Sequence, residues 1–184
     1  RGENSIHQLS ISLSQESRFG YVIGDAGDFS KIRHELLSAR PHTVFHAAAH
    51  KHVPMMEEYP EEAVKNNVLG TYAAAKAALE AGVKTFVLVS TDKAVNPSSV
   101  MGCAKRLAEK MVLSLNGTGG TRFLCTRFGN VLGSRGSVIP TFLAQIEKGG
   151  PVTVTHPDME RYFMSIPEAA RLVIKSACVS QGDL

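Results

Sequence analysis

The chain has 184 residues, of which 43% are hydrophobic, and a formal net charge of +3. This is enough for one domain with a sizeable core, and the scattered basic residues give no support to nucleic-acid binding. Three widely spaced cysteines do not make a disulfide framework, and no apolar run approaches the roughly 18 residues of a membrane-spanning helix. We therefore expect a soluble domain in a reducing, cytoplasmic compartment.

Strand-like and helix-like segments alternate along the chain. The predicted strands are 19–23, 43–47, 85–89, 121–127 and 152–155, and the predicted helices are 29–40, 62–81, 100–115, 138–148 and 167–179. This alternation predicts an α/β domain with a doubly wound parallel sheet and right-handed crossovers. Because residues 1–17 are polar and no strand with a glycine-rich turn precedes residue 19, we expect a domain truncated at its N-terminus. The abrupt stop after the last helix suggests the same at its C-terminus.

Thr91, Asp92 and Lys93 directly follow the apolar strand 85–89. The ends of such strands open onto the crevice where α/β sheets bind ligands. Adjacent Asp92 and Lys93 could act as an acid and base pair, since each changes the proton affinity of the other. The alternative is that Asp92 caps a turn and Lys93 is solvated.

Met101 and Lys105 stand four residues apart on a predicted helix and so share one face. They would extend the strand-end cluster, although core packing is the commoner use of a methionine. Asn66 and Asn67 interrupt the helix pattern of 62–81, which favours a functional amide at one of them. The other amide could simply face solvent.

Small and acidic residues follow the first two predicted strands. Asp25 could accept a hydrogen bond from an adenine amino group, or could belong to a simple turn. Asp28 is placed to cap the helix that begins at Phe29. The small side chains of Ala47, Ala48 and Ala49 would let a flat cofactor approach the backbone, or would allow tight packing.

His46, His50 and His52 include a pair four residues apart, which raises the possibility of a metal site. A strand end running into a loop does not make these side chains converge, and no acid completes the set, so we predict no metal.

The glycine-rich loop 129–138 follows a predicted strand and opens a helix. Its backbone amides, helped by Arg135, suit a phosphate or diphosphate. Arg161 is a second candidate for binding an anion, with a plain surface arginine as the alternative.

Several of these motifs, in this order, resemble the extended short-chain dehydrogenase/reductase superfamily. Within it they are most similar to the CapD-like nucleotide-sugar 4,6-dehydratases of polysaccharide biosynthesis. The segments that carry the resemblance are 45–54, 67–71, 90–97, 101–106, 127–138 and 161–164. The similarity extends from about residue 20 to the C-terminus, and it implies a partial Rossmann-like catalytic domain over 1–184 that binds NAD.

The resemblance also implies roles for the cofactor-binding residues. Asp25 and Ala26 would contact adenine, Ala47–Ala49 would line the cofactor, and Lys105 would hold the nicotinamide ribose. Asn67 resembles the structural amide of the superfamily.

In the resembling dehydratases, a threonine, an aspartate and a lysine follow the strand. By this resemblance Thr91 would steady the 4-oxygen of the sugar, Lys93 would take the C5 proton, and Asp92 would assist loss of the 6-hydroxyl as water. The implied substrate is UDP-N-acetylglucosamine and the implied product is a 4-keto-6-deoxy sugar.

Residues 129–165 are implied to contribute to the nucleotide-sugar region. The implied substrate-binding residues there are Asn130, Arg135, Ser137, Val138 and Arg161, with the amide and the two arginines on the diphosphate. By analogy, long helices could pair across a homodimer, and the intact protein would carry transmembrane helices upstream that hold it at the cytoplasmic face of a membrane.

Two departures from the superfamily pattern stand out. Met101 occupies the position of the usual tyrosine, as in the larger, membrane-anchored branch, so another group must deprotonate the 4-hydroxyl. We hypothesise that Asp92, or a water that it orients, does so. The glycine-rich turn that cradles the dinucleotide pyrophosphate is absent, which predicts that this chain alone binds NAD weakly.

Two other functions stay open. A UDP-sugar epimerase would share the early chemistry but conserve the mass of the substrate. A non-catalytic nucleotide-binding or assembly module would keep the fold without turnover.

Overall fold

The computed structural model describes residues 2–134, 138–154 and 156–178. Its helices and strands, in chain order, are α1 (Glu3–Ser12), α2 (Phe29–Ala39), β1 (Thr43–His46), α3 (Val53–Glu58), α4 (Pro60–Glu62), a π-helix (Ala63–Gly70), α5 (Thr71–Glu80), β2 (Thr85–Val89), a 3₁₀ turn (Asp92–Ala94), α6 (Val100–Leu113), β3 (Arg122–Thr126), β4 (Asn130–Val131), α7 (Val138–Glu147), β5 (Phe163–Met164) and α8 (Ile166–Ser176).

The central sheet has three parallel strands in the order β1-β2-β3. Thr43 pairs with Thr85, and Thr85 pairs with Arg122, so the three strands start level and also end close together. The connections run through α3–α5 and through α6, as expected for parallel strands. The predicted parallel α/β, Rossmann-like fold is confirmed. Two short strands, β4 and β5, form a second parallel pair.

The core lies between the sheet and the helices that cross over it. Phe86 and Leu88 of β2 and Phe123 of β3 are buried there. Helix α5 meets the sheet through alanines, whose small side chains permit a close approach. The buried cluster is Ala74, Ala75, Ala78, Val83, Phe86, Leu88, Ala108, Val112 and Phe123.

The predicted helix boundaries hold at several points. The Asp28 carboxylate accepts a hydrogen bond from the Lys31 N–H at 3.0 Å and so caps α2. Helix α5 ends just before Gly82, as predicted. Among the described residues, no helix is both long enough and apolar enough to cross a bilayer.

Two predicted strands are wrong. Residues 19–23 and the described part of 152–155 form no strand, because neither segment finds a neighbouring strand among the described residues with which to pair its backbone. Other features were not predicted, among them α3, β4 and β5. The polar N-terminal stretch contains α1, and the segment 62–81 is helical but changes to a π-helix over Ala63–Gly70.

Candidate active site

The residues after β2 form a compact hydrogen-bonded group. Thr91 donates its hydroxyl hydrogen to Asp92 Oδ1 at 2.9 Å, and the Lys93 N–H donates to Thr91 Oγ1 at 3.3 Å. The Lys93 ammonium donates to Asp92 Oδ1 and to Asn130 Oδ1, both at 3.1 Å. The acid and the amine are therefore in direct contact, and Asn130 of β4 holds the amine from the opposite side.

The carboxylate of Asp92 is stabilised in its charged form. Partial burial raises its pKa, but hydrogen bonds from Lys93 and Thr91 outweigh the burial, so the pKa lies below its ordinary value. At neutral pH this residue can accept a proton.

Lys105 is buried on the inward face of α6. Its ammonium donates to the carbonyl oxygen of Val89, at the end of β2, at 2.7 Å. Burial lowers the pKa of Lys105, and the nearby carboxylate of Glu109 partly opposes that effect. Met101, one turn earlier, is also buried and packs in a cluster with Met56, Val68 and their neighbours.

The start of α6 lies directly against the 3₁₀ turn that carries Lys93. A Cβ atom on Gly102 would lie 2.5 Å from the Lys93 carbonyl oxygen. Ser99 caps the helix by accepting a hydrogen bond from the Gly102 N–H at 3.2 Å. Glycine at 102 therefore permits the close approach that brings the Lys93 and Lys105 segments together.

These side chains border one groove of about 430 Å³. Thr91, Lys93, Met101 and Lys105 line it. Asp92 does not line it but bonds to Thr91 and Lys93, which do. Asn130 and Val138 line the same groove from the other side. The structure thus brings together side chains from β2, α6, β4 and α7 around one space of a size suited to a small polar molecule.

A second groove, of about 820 Å³, lies beyond the ends of β1 and the π-helix. Asp25, Ala26 and the run Ala47–Ala49 line it, and it shares Ala47, Ala49 and His50 with the first groove. One oxygen of Asp25 accepts a hydrogen bond from the Gly27 N–H at 3.0 Å. The two grooves are therefore adjacent, and the loop 47–50 forms a wall that both grooves share.

Asn67 holds this wall in place from the π-helix. Its buried amide accepts from the His50 N–H at 2.8 Å and donates to the His50 carbonyl at 2.9 Å. Asn66 instead donates to the Glu62 side chain at 2.7 Å. A π-helical turn is common at functional sites, and here it directs Asn67 into the loop that separates the grooves.

The three histidines point to different surroundings. His46 lies 3.1 Å from the Thr71 hydroxyl and stacks on Phe86, with 5.8 Å between ring centroids. Burial and the nearby Lys105 charge lower the pKa of His46 to about 4. Within residues 2–134, 138–154 and 156–178, no group of three or more His, Cys, Asp or Glu side chains is placed to hold a metal ion.

The remaining candidate residues lie farther out. Arg161 is exposed, donates to the Glu160 carbonyl at 2.8 Å, and does not line either groove. Arg135 and Ser137 lie outside the described residues.

Sequence reasoning missed Glu109 and Ser90. Glu109 is buried and forms two hydrogen bonds with Arg127. Its spacing of four residues from Lys105 was the signal that could have indicated it. Ser90 is buried at the first groove, and its hydroxyl is one of the groups that lower the pKa of Glu109.

Comparison with known proteins shows clear relatives. The chain is 56% identical to the probable polysaccharide biosynthesis protein EpsC of Bacillus subtilis (strain 168) and 54% identical to the capsular polysaccharide biosynthesis protein CapD of Staphylococcus aureus, in each case over 98% of the chain and 31% of the relative. It is 40% identical to a UDP-glucose 4-epimerase of Rickettsia rickettsii (strain Sheila Smith), over 100% of the chain and 54% of that protein. The chain thus spans about a third to a half of these relatives.

Solved structures share the fold. Pen from Bacillus thuringiensis superposes with a TM-score of 0.88 at 36% identity, over 98% of this chain and 56% of Pen. The dTDP-glucose 4,6-dehydratase DesIV from Streptomyces venezuelae, solved with NAD and TYD bound, superposes with a TM-score of 0.82 at 22% identity, over 93% of this chain and 58% of DesIV.

The family model described as "Polysaccharide biosynthesis protein" matches residues 1–183. The match covers nearly the whole chain, and the chain therefore belongs to the polysaccharide biosynthesis protein family.

Proposed function

We propose that the protein carrying this chain dehydrates UDP-N-acetylglucosamine to its 4-keto-6-deoxy derivative, with NAD as cofactor, for surface polysaccharide synthesis. The observation that carries the proposal is the contact between Asp92, Lys93 and Asn130 beside the buried Lys105. A carboxylate and an amine at one groove are the groups that removal of a proton and of a hydroxyl require.

The larger groove suits a dinucleotide. Ala47–Ala49 leave room for a flat ring system near the backbone, and Asp25 presents a carboxylate at the far end. Lys105 lines the smaller groove, which shares Ala47 and Ala49 with the larger one, and would hold the nicotinamide ribose. NAD held by these residues would supply the hydride chemistry at C4 and C6 of the sugar. DesIV, of the same fold, was solved with NAD bound.

Asp92 supplies the proton transfers at the 4- and 6-oxygens. Its lowered pKa keeps it a carboxylate at neutral pH. As a carboxylate it would take the 4-hydroxyl proton as the hydride leaves C4, in place of a tyrosine at position 101. The same proton then goes to the 6-hydroxyl, which leaves as water. Thr91, bonded to Asp92 at 2.9 Å, would steady the 4-oxygen.

Lys93 is the residue that would act at C5 of the sugar. The ketone at C4 acidifies the C5 proton, so the amine removes it as the 6-hydroxyl leaves, and it returns the proton to C5 at the end. The sugar loses one water overall, and both side chains recover their starting forms. We propose that residues 129–165 contribute to binding the nucleotide, with Asn130, Arg135, Ser137, Val138 and Arg161 as the contributing residues.

Mass spectrometry of UDP-N-acetylglucosamine incubated with NAD and the protein carrying this chain tests the proposal. We expect a product lighter by one water, and a turnover 10²–10⁴-fold lower in Asp92→Asn, which keeps the shape but removes the base. Glu80→Gln, which changes an exposed carboxylate bonded to Arg33, is the matched control and should keep normal turnover. Normal turnover in Asp92→Asn would contradict the assigned role.

An epimerase is the second candidate, because the Rickettsia rickettsii relative of that name is 40% identical. Its product would have the same mass as the substrate, so the same experiment separates the two functions. No product at all would favour a non-catalytic nucleotide-binding module.

A further inference from the structure

Glu109 of α6 and Arg127, which follows β3, form an ion pair that lines neither groove. Arg127 Nε donates to Glu109 Oε1 at 2.8 Å and Nη2 donates to Oε2 at 2.6 Å. Arg106 approaches the same carboxylate at 3.4 Å. The Glu109 side chain is 2% exposed and that of Arg127 is 35% exposed. A two-point pair with one buried member fixes geometry more firmly than a surface ion pair.

This pair attaches α6 to the sheet one helical turn away from Lys105. Lys105 bonds to Val89 at the end of β2, and Arg127 directly follows β3, the neighbouring strand. Attachments to two adjacent strands, one turn apart, restrict both the rotation of the helix and its sliding along its axis. The direction of the Lys105 side chain therefore depends on the second attachment.

The residues that directly follow Arg127 in the chain form hydrogen bonds with Asp92 and Lys93. The Asp92 N–H donates to the carbonyl of Phe128, the residue after Arg127, at 3.1 Å. Two residues later, Asn130 accepts from the Lys93 ammonium. A shift of Arg127 would thus move the backbone that holds both Asp92 and Lys93.

Among the described titratable groups around Lys105, Glu109 is the one that carries a negative charge. His46 of β1 has a pKa of about 4 and is neutral at pH 7, and burial raises the pKa of Cys125 of β3 to about 12, so its thiol is neutral as well. Burial raises the pKa of Glu109, but its bonds to Arg127 outweigh that effect and keep it ionised. Of the described groups that act on Lys105 from its own helix and from the sheet, Glu109 is the one that is anionic at neutral pH.

We propose that Glu109, held by Arg127, is a positioning residue of this active site, because it sets the rotation of α6 that directs Lys105 to Val89. Its negative charge also favours the ammonium form of Lys105. The inference extends the proposed function, because that function gives Lys105 its role in holding the cofactor. The contacts themselves do not depend on which sugar is bound.

The test measures the titration of Lys105 directly, by NMR of isotopically labelled lysine in the protein carrying this chain, with the signal assigned by its loss in Lys105→Met. In Glu109→Gln we expect Lys105 to lose its proton at lower pH than in the wild type, because the balancing anion is gone. The alkaline limb of the turnover profile should move the same way. Glu109→Asp keeps the charge and should titrate closer to the wild type, and Glu80→Gln should match the wild type.

A double variant separates positioning from plain stability. Arg127→Gln leaves the buried carboxylate of Glu109 with only the more distant Arg106, at 3.4 Å, and should lower Tm most. Glu109→Gln leaves no buried charge at this position, because the arginines are partly exposed. The double variant Glu109→Gln/Arg127→Gln has no buried charge at this position, so its Tm should be higher than that of Arg127→Gln. The titration of Lys105 should stay at lower pH than in the wild type. Wild-type titration of Lys105 in both Glu109→Gln and the double variant would overturn the proposal. A shifted titration in a protein that yields no product would support the positioning role and reject the proposed reaction.

Discussion

The inner region, residues 85–126, and the outer segment, the described residues of 130–164, carry the candidate site together but are held in different ways. The inner region includes fully buried Phe86 and Phe123 and the buried Lys105. In the outer segment none of the described residues is buried. The outer segment meets the inner region through the Asn130 side chain, and its own strands β4 and β5 pair through their backbones.

This contrast assigns different tasks to the two parts. Groups that move protons need fixed positions, and the inner region supplies them because a close-packed core tolerates little displacement. The surface that would bind the proposed nucleotide sugar needs less rigidity. We therefore expect substitutions in the inner region to change stability and turnover, and those in the outer segment to change mainly substrate binding.

The largest effect is expected from emptying the core. Phe86→Ala should lower the free energy of unfolding by about 3–5 kcal/mol, because it leaves a cavity beside Phe123 and His46. Urea unfolding measures it. The matched control is Phe163→Ala in β5, where the ring is 48% exposed and the loss should stay below about 1 kcal/mol. Equal losses would remove the distinction between the two parts.

Acid should act on the inner region through His46 of β1, which stacks on Phe86. Its pKa falls from 6.5 unfolded to about 4 folded, so the unfolded state binds more protons between these values. The stabilising contribution is complete above pH 6.5 and is lost as the pH falls to 4, by about 3 kcal/mol. The wild type should therefore lose that much more than His46→Gln in urea unfolding between pH 7 and pH 4. Parallel losses would mean that His46 titrates normally.

The junction between the two parts is tested at Asn130. Asn130→Ala removes one of the two oxygens that hold the Lys93 ammonium. With the amine less well positioned, kcat should fall about tenfold while KM changes less. A larger change in KM than in kcat would instead support direct binding of the diphosphate by this amide.

The smallest effect is expected at Tyr162. Its ring is 84% exposed, and its contact with the site is made by its backbone carbonyl, which accepts from the Asn130 N–H at 2.8 Å. Tyr162→Ala keeps that carbonyl, so the free energy of unfolding should change by less than about 0.5 kcal/mol. A loss above 1 kcal/mol would show that the outer segment buries more than this structure indicates.

The pattern of residues along the chain was sufficient for the local features. Strand 85–89 was predicted with its correct boundaries, because an uncharged β-branched run between turn residues has few alternatives. The helix spacing placed Met101 and Lys105 on one face, and both are buried. Position after the strand indicated Thr91, Asp92 and Lys93, which do form one hydrogen-bonded group.

Pairing between distant segments was decided by the tertiary structure. Residues 19–23 have strand composition, but a strand also needs a partner, and composition carries no information about that. The contact of Lys93 with Asn130 joins residues 37 apart, and the pair of Glu109 with Arg127 joins residues 18 apart. Whether such groups meet depends on the order and register of the strands that carry them, which only the packed sheet determines.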